Sequence, residues 1–122
     1  MKIFVNERIV DEEKAVLSVL DRGLLYGDGL FETMRSYGGR VLALDRHLDR
    51  LYYSAGVIGI KIDKNRKYIK YIIHKLLKVN GLKDAYIRLS VTRGKGRIGL
   101  DATTAKEQSI IIIAKKFEPY SA

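Results

Sequence analysis

The fold of this protein is decided by one stretch, Asp21-Arg22-Gly23-Leu24-Leu25-Tyr26-Gly27-Asp28-Gly29-Leu30-Phe31-Glu32-Thr33-Met34-Arg35. Its glycines permit positive φ angles and close approach of the backbone, which predicts a loop. From Leu30 to Tyr37 the residues alternate in the manner of a half-buried strand, with Phe31 and Glu32 on opposite faces. The stretch therefore predicts a glycine-rich loop that runs directly into a strand.

In the rest of the chain, hydrophobic periodicity predicts further strands and helices. Together they form an α+β fold, a mostly antiparallel sheet with two amphipathic helices packed on it. Further strands are expected in a hairpin over residues 2–10, after a tight turn at Gly38-Gly39, and over residues 84–93 and 109–115. Apolar residues three and four apart predict one helix over residues 44–55. A second helix is expected from an N-cap at Asp63 to a glycine C-cap at Asn80-Gly81. Residues 11–21 favour neither a helical turn nor an extended connector.

The composition indicates one soluble globular domain, for which the cytoplasm is the default location. The 122 residues are 47% hydrophobic and 30% charged, and no apolar run approaches the roughly 20 residues that a membrane helix needs. The sequence contains no cysteine, which excludes disulfides and thiolate metal ligands. His47 and His74 cannot assemble a His-rich metal site, so no metal is expected.

The formal net charge of +9 raises nucleic acid as a possible partner. The basic residues are spread over residues 64–78, 93–97 and 115–116, without a block and without an aromatic stacking platform. A nucleic-acid site usually gathers its basic residues on one face or along one helix. We therefore expect no nucleic-acid partner and no membrane partner.

A second motif follows at residues 42–55, Leu-Ala-Leu-Asp-Arg-His-Leu-Asp-Arg-Leu-Tyr-Tyr-Ser-Ala. Together with Tyr26-Gly27-Asp28-Gly29-Leu30-Phe31-Glu32, and at this spacing, it resembles the fold-type IV pyridoxal-phosphate enzymes, the class IV aminotransferases and their lyase relatives. The resemblance covers nearly the whole chain and points to a branched-chain aminotransferase-like member. It implies the small N-terminal domain of a two-domain enzyme that binds pyridoxal 5'-phosphate and forms a homodimer.

The resemblance assigns the cofactor phosphate to Arg50, the arginine of the His-x-x-Arg-Leu motif. The chemistry suits this role, because guanidinium offers forked donors that match phosphate oxygens and a helix fixes their direction. The residues alone leave another interpretation open, in which Arg50 is a surface arginine paired with Asp49 or Glu32.

The resemblance also implies substrate contacts at Tyr26, Phe31 and Arg88. Tyr26 and Phe31 stand where branched-chain enzymes frame the substrate pocket, and the alternative is that both are core aromatics. Arg88 matches an arginine that engages a substrate carboxylate. An arginine buried on an apolar strand requires an anionic partner, for which Glu32 competes with a ligand. Arg88 belongs to the strand expected over residues 84–93. The polar side of that strand is expected to line a cavity, and it consists of Tyr86, Arg88, Ser90 and Thr92.

Residues 92–101, Thr-Arg-Gly-Lys-Gly-Arg-Ile-Gly-Leu-Asp, form a second glycine-rich loop. The loop resembles the Gly-x-Gly-x-x-Gly-Leu-Asp variant of the branched-chain family, which lies near the substrate, and this makes Arg97 a further candidate substrate contact. D-amino-acid transaminases carry a histidine two positions after this arginine, where Gly99 stands here, which counts against a D-amino-acid substrate. Thr33 replaces the usual glycine after Phe-Glu, a form also seen in aminodeoxychorismate lyase-like members.

The resemblance sets a domain over residues 1–117 and the start of an interdomain linker over residues 118–122. In this family the Schiff-base lysine lies in the second domain, which we expect to be absent here, so no catalytic residue is assigned and the chain alone is expected to be inactive. The parent enzyme would transfer an amino group between a branched-chain amino acid and 2-oxoglutarate. The alternatives are an aminodeoxychorismate lyase domain, which forms 4-aminobenzoate and pyruvate, and a stand-alone, non-catalytic basic binding module.

Overall fold

The computed structural model describes residues 1–105 and 107–119. Its strands are β1 (Lys2–Val5), β2 (Arg8–Asp11), β3 (Gly29–Tyr37), β4 (Arg40–Val41), β5 (Ala85–Thr92) and β6 (Ser109–Lys116). Its α-helices are α1 (Arg22–Tyr26), α2 (Leu44–Val57) and α3 (Arg66–Val79), and short 3₁₀ turns span Glu12–Lys14 and Ala102–Thr104. Residues 120–122 of the expected linker lie outside the described part of the chain.

The strands form one antiparallel sheet in the order β2-β1-β6-β5-β3-β4. β5 and β6 pair along their whole length, from Ala85 opposite Lys116 to Thr92 opposite Ser109. The isoleucine run of β6 lies between β1 and β5, the central place that its composition predicted. The predicted α+β fold, an antiparallel sheet with two amphipathic helices, is confirmed.

Helices α2 and α3 cover one face of the sheet. The predicted apolar stripe of α3 is at most 6% exposed along its length and comprises Ile69, Ile72, Ile73, Leu76 and Leu77. These side chains form one core cluster with Leu48 and Leu51 of α2 and with alternate residues of β5. Burial of each such side chain contributes about 1.5–3 kcal/mol. No helix in the described residues is long and apolar enough to cross a membrane.

The two faces of β3 differ as the two-residue period predicted. Glu32 and Met34 are buried on the helix side, whereas Phe31 and Thr33 are exposed on the opposite side, which is called the open face below. In the described residues β4 pairs only with the last two residues of β3, Ser36 and Tyr37. The remainder of β3 therefore forms an edge of the sheet.

Both hairpin turns use positive φ angles, which Asn6, Gly38 and Gly39 adopt readily and which Glu7 adopts against the usual preference of its residue type. Asn6 and Glu7 join β1 to β2 with φ angles of 44° and 79°. Gly38 and Gly39 join β3 to β4 with φ angles of 58° and 85°. Glycine adopts positive φ without steric cost, which makes the second turn tight and confirms the prediction for it.

The prediction that Asp63 caps α3 is wrong. The N-cap is Asn65, whose φ of −78° and ψ of 167° are extended and whose Oδ1 accepts a 2.8 Å hydrogen bond from the Tyr68 amide. The tertiary structure decides between these two good capping residues. The Asp63 amide donates to Gln108 Oε1 at 2.8 Å, which ties Asp63 to the segment before β6 and delays the start of the helix.

The cap yields a test of the fold. Asn65→Ala removes the acceptor for the Tyr68 amide, so we expect the free energy of unfolding to fall by about 1 kcal/mol. Urea denaturation followed by far-UV circular dichroism measures the change. Asp63→Ala is the matched control and should have a smaller effect, because it removes no capping bond. Equal losses in the two variants would contradict the assignment of the cap.

Candidate functional site

An aromatic ring and a guanidinium group stack on the open face. Thr33 of β3 lies opposite Arg88 of β5, so Phe31 is the diagonal neighbour of Arg88 on the same face. The guanidinium carbon of Arg88 lies 3.9 Å from the centroid of the Phe31 ring, which is a cation–π contact. Phe31 is 53% exposed, so the alternative that it is a core residue is wrong.

The expectation that Arg88 is buried is also wrong. Arg88 is exposed because it occupies the polar side of β5, away from the helices. Glu32 cannot be its partner, since Glu32 points to the opposite side of the sheet. The polar row that was expected to line a cavity lies on the open face instead, and its other members, Tyr86, Ser90 and Thr92, are half-buried there.

A second arginine of the open face, Arg35, is held between two aromatic rings. Its guanidinium carbon lies 4.2 Å from the centroid of Tyr37 and 3.5 Å from that of Phe117. Its buried Nε has no hydrogen-bond partner within residues 1–105 and 107–119. The open face thus presents guanidinium groups among aromatic rings, a chemistry that suits a carboxylate with an apolar side chain.

On the helix side, Glu32 receives a fork of hydrogen bonds from α2. Arg50 Nε donates to Oε2 at 2.8 Å and Arg50 Nη2 donates to Oε1 at 2.6 Å, while His47 Nδ1 lies 2.7 Å from Oε1. The side chain of Glu32 is only 8% exposed. Hydrogen bonding from Arg50 lowers the pKa of Glu32; burial opposes this effect and His47 reinforces it. The carboxylate therefore stays ionised near neutral pH.

Arg50 keeps part of its guanidinium for a further ligand. Its side chain is 67% exposed, and Nη1 has no hydrogen-bond partner among the described residues. Arg50 therefore does pair with Glu32, as the alternative interpretation held. The pairing uses only the Nε and Nη2 donors of the guanidinium. A guanidinium that is held on one side and open on the other fits a phosphate group.

The edge of β3 separates the two groups of candidate residues. Arg50 lies on the helix side of the sheet, where it donates hydrogen bonds to Glu32. Phe31 and Arg88 lie on the open face. Beyond β4, β3 has no further strand at this edge in the described part of the chain. The two groups therefore lie on opposite sides of an edge that no further strand of the described residues covers.

Tyr26 and Arg97 belong to a third group, the glycine-rich loop over residues 94–100 and its support. The Gly99 amide donates to the Tyr26 hydroxyl at 2.6 Å, and the Arg97 amide donates to Thr104 Oγ1 at 3.0 Å. Tyr26 is 39% exposed, and the Arg97 side chain is exposed. At Gly94 (φ 96°), an added Cβ would lie 1.6 Å from a backbone oxygen, so only glycine fits.

Asp28, to which no sequence pattern assigns a role, joins this loop to the rest of the domain. Its Oδ2 accepts hydrogen bonds from Arg22 Nε at 3.0 Å and from Arg93 Nε at 2.7 Å. Arg93 is 65 residues away in the chain, so periodicity and local spacing could not reveal the pair. The flanking glycines of Asp28 were the only signal, and they indicated a turn.

The sequence that forms these elements matches a known protein family. A family model described as amino-transferase class IV matches residues 29–122. The chain belongs to the class IV aminotransferases.

Relatives of this class IV chain match nearly all of it. A putative branched-chain-amino-acid aminotransferase of Methanocaldococcus jannaschii is 47% identical over 98% of the chain. The branched-chain aminotransferase of the thermophilic archaeon Thermoproteus uzoniensis, solved with norvaline, is 34% identical over 97% of the chain with a TM-score of 0.87. An aminodeoxychorismate lyase of Bacillus subtilis is 36% identical over 98% of the chain. The chain spans only 41% of the length of each of these relatives.

The ion pair between the buried Glu32 and the exposed Arg50 predicts a dependence of stability on pH. Because the pKa of Glu32 is lowered on folding, its contribution is complete above its ordinary pKa of about 4.3 and is lost as the pH falls through the folded pKa. Glu32→Gln should therefore destabilise the chain most at neutral pH, and the difference from the wild type should shrink towards pH 3. Urea denaturation across this range measures it.

Glu13→Gln is the matched control, since Glu13 is an exposed glutamate of the turn after β2. We expect a small, nearly constant difference from the wild type for this variant. A Glu32→Gln difference that stays constant from pH 7 to pH 3 would show that the ionised pair does not contribute to stability.

Proposed function

We propose that this chain is the N-terminal domain, over residues 1–117, of a pyridoxal-phosphate-dependent aminotransferase that acts on branched-chain amino acids and 2-oxoglutarate. The stacked pair of Phe31 and Arg88 is the observation that carries the proposal. In the proposed site the guanidinium binds the substrate carboxylate and the ring contacts the aliphatic side chain. The exposure of both residues supports it, because a ligand can reach them without rearrangement of the sheet.

The cofactor supplies the chemistry that this chain cannot. Pyridoxal phosphate, when bound, takes the amino group from one substrate and passes it to the other. The role of the domain is to hold the cofactor phosphate on the open side of the Arg50 guanidinium while Glu32 fixes the other side. The lysine that attaches the cofactor would come from the part of the enzyme that lies beyond these residues, so the chain alone is proposed to be inactive.

The glycine-rich loop completes the proposed pocket. Tyr26 and Arg97 are exposed, and Ile98 and Leu100 beside them are 75% and 90% exposed. These two apolar side chains are available to a partner surface. In the proposed enzyme the second domain and a second subunit cover this loop, so that Tyr26 and Arg97 border the substrate.

One observation favours the lyase as the second candidate. Thr33, which stands opposite Arg88, places a hydroxyl and a methyl group where the branched-chain pattern has glycine. A side chain at this position narrows the space beside Arg88. The Bacillus subtilis lyase matches almost the whole chain. The Thr33 hydroxyl can also hydrogen-bond a polar group, and aminodeoxychorismate carries more polar groups than the aliphatic side chain of a branched-chain amino acid does.

A chimaera tests the proposed function. This chain replaces the matching 41% of the Methanocaldococcus jannaschii relative, and the remainder supplies the second domain. We expect amino transfer from leucine, isoleucine or valine to 2-oxoglutarate by the chimaera and none by the chain alone. Formation of 4-aminobenzoate from aminodeoxychorismate would support the lyase, and transfer from D-alanine would overturn the assignment of an L-amino acid. A folded chimaera without any of these activities would favour the non-catalytic module.

Arg50 gives a prediction about the cofactor. In the chimaera, Arg50→Ala should weaken binding of pyridoxal phosphate about 10- to 100-fold, the loss expected when a charge-assisted hydrogen bond to the phosphate is removed. Binding of pyridoxal, which lacks the phosphate, should not change. An absorbance titration measures both affinities.

Arg46→Ala is the matched control, because Arg46 is an exposed arginine of the same helix. It should leave both affinities unchanged. Equal losses for pyridoxal and its phosphate in Arg50→Ala would mean that Arg50 supports the fold and does not bind the phosphate.

A further inference from the structure

Asp28 lies between two arginines in a nearly closed part of the structure. The exposed fractions of the side chains are 14% for Asp28, 5% for Arg22 and 20% for Arg93. Both guanidinium groups donate through Nε to the same oxygen, Oδ2. Burial raises the pKa of Asp28, but the hydrogen bonds from Arg93 and Arg22 together lower it by more. The pKa of Asp28 is therefore below its ordinary value. The cluster contains one negative and two positive charges at neutral pH.

The remaining donors of Arg93 anchor the cluster to the end of α2. Nη2 donates to the Ile58 carbonyl at 2.6 Å and Nη1 donates to the Gly59 carbonyl at 3.1 Å. The Arg93 amide also donates to the Asp28 carbonyl at 3.0 Å. The carboxylate is therefore fixed relative to α2, the helix that carries Arg50.

The remaining contacts of Arg22 reach the glycine-rich loop. Nη1 of Arg22 donates to the Gly99 carbonyl at 2.8 Å, and the Gly99 amide donates to the Tyr26 hydroxyl at 2.6 Å. The guanidinium carbon of Arg22 lies 4.6 Å from the centroid of the Tyr26 ring. The glycine at position 99 is thus held on its carbonyl and its amide, and both bonds depend on the placement of Arg22.

These contacts form one continuous connection from α2 to the loop. Among the ion pairs of the described residues, Arg22 has only the Asp28 carboxylate to balance its charge. If the carboxylate loses its charge, two nearly buried guanidinium groups face each other without compensation, which is strongly unfavourable. Arg22 would then turn towards solvent and release Gly99 and Tyr26.

We propose that Asp28 is a positioning residue that sets the substrate selectivity of the site by holding Arg22, and through it Tyr26 and the loop over residues 94–100, in one arrangement relative to α2. This inference rests on the proposed function, in which Tyr26 and the loop border the substrate. Asp28 contacts neither the substrate nor the cofactor in this assignment. Its effect is on selectivity and not on retention of the cofactor.

Two variants and one control test the proposal. Asp28→Asn keeps the shape of the side chain and removes its charge. Arg22→Lys keeps a cation beside Asp28 but cannot reach both Asp28 and Gly99 in the same way, because it lacks the fork. Asp49→Asn is the matched control, since Asp49 is 70% exposed and pairs with Arg66 at the surface. If Asp28→Asn does not fold, Arg22→Lys alone tests whether the connection holds the loop over residues 94–100.

The first readout needs no activity. Hydrogen–deuterium exchange with mass spectrometry on this chain reports the protection of residues 94–100. We expect faster exchange of this peptide in Asp28→Asn and Arg22→Lys, with exchange in α3 unchanged, and no change in Asp49→Asn. Unchanged protection of residues 94–100 in both variants would overturn the proposal.

The second readout uses the chimaera described above. We expect the ratio of kcat/KM for a branched 2-oxo acid to that for 2-oxoglutarate to change about tenfold or more in Asp28→Asn, as a small displacement of a binding loop can cause. The affinity for pyridoxal phosphate should not change. Equal loss for both substrates would reduce Asp28 to a structural role and overturn the proposal. An inactive wild-type chimaera would instead refute the proposed function, while the exchange experiment still reports whether Asp28 holds the loop.

Discussion

The buried carboxylate of Glu32 is the interaction on which the candidate site depends. A carboxylate that is 8% exposed on the apolar side of a sheet needs polar partners, and α2 supplies two of them one turn apart, the His47 ring and the Arg50 guanidinium. This pairing fixes which side of α2 faces β3. Because successive residues of a strand alternate, the same placement of Glu32 sends Phe31 and Thr33 to the open face. One carboxylate thereby orients both groups of candidate residues.

The distribution of charge explains why a domain with a net charge of +9 can offer specific anion sites. The acidic residues near the candidate site are engaged inside the domain: Glu32 binds Arg50, and Asp28 binds Arg22 and Arg93. Arg88 and Arg35 of the open face are instead held by aromatic rings, which fix their direction without neutralising their charge. These arginines retain their attraction for a carboxylate.

The chain spans 41% of the length of its relatives, and in the proposed enzyme it presents one wall of the site. Membership of the class IV aminotransferases accounts for the sheet, the two helices and the two motifs, but relatives named as aminotransferase and as lyase share these features. The scaffold therefore does not choose between the reactions. In the proposed enzyme that choice depends on the side chain of Thr33 beside Arg88 and on the loop that Asp28 supports.

Periodicity in the sequence was enough to predict the regular elements of this protein. Alternation and helical stripes predicted β3, β5, α2 and α3, because each element buries one side on a common core. The motifs singled out the residues at which the candidate site is built. The tertiary structure alone decided what those residues contact. In the folded chain Arg88 is exposed, Asn65 and not Asp63 caps α3, and Asp28 pairs with Arg93. Each of these outcomes depends on contacts between segments that are far apart in the chain. Local patterns carry no information about such distant partners.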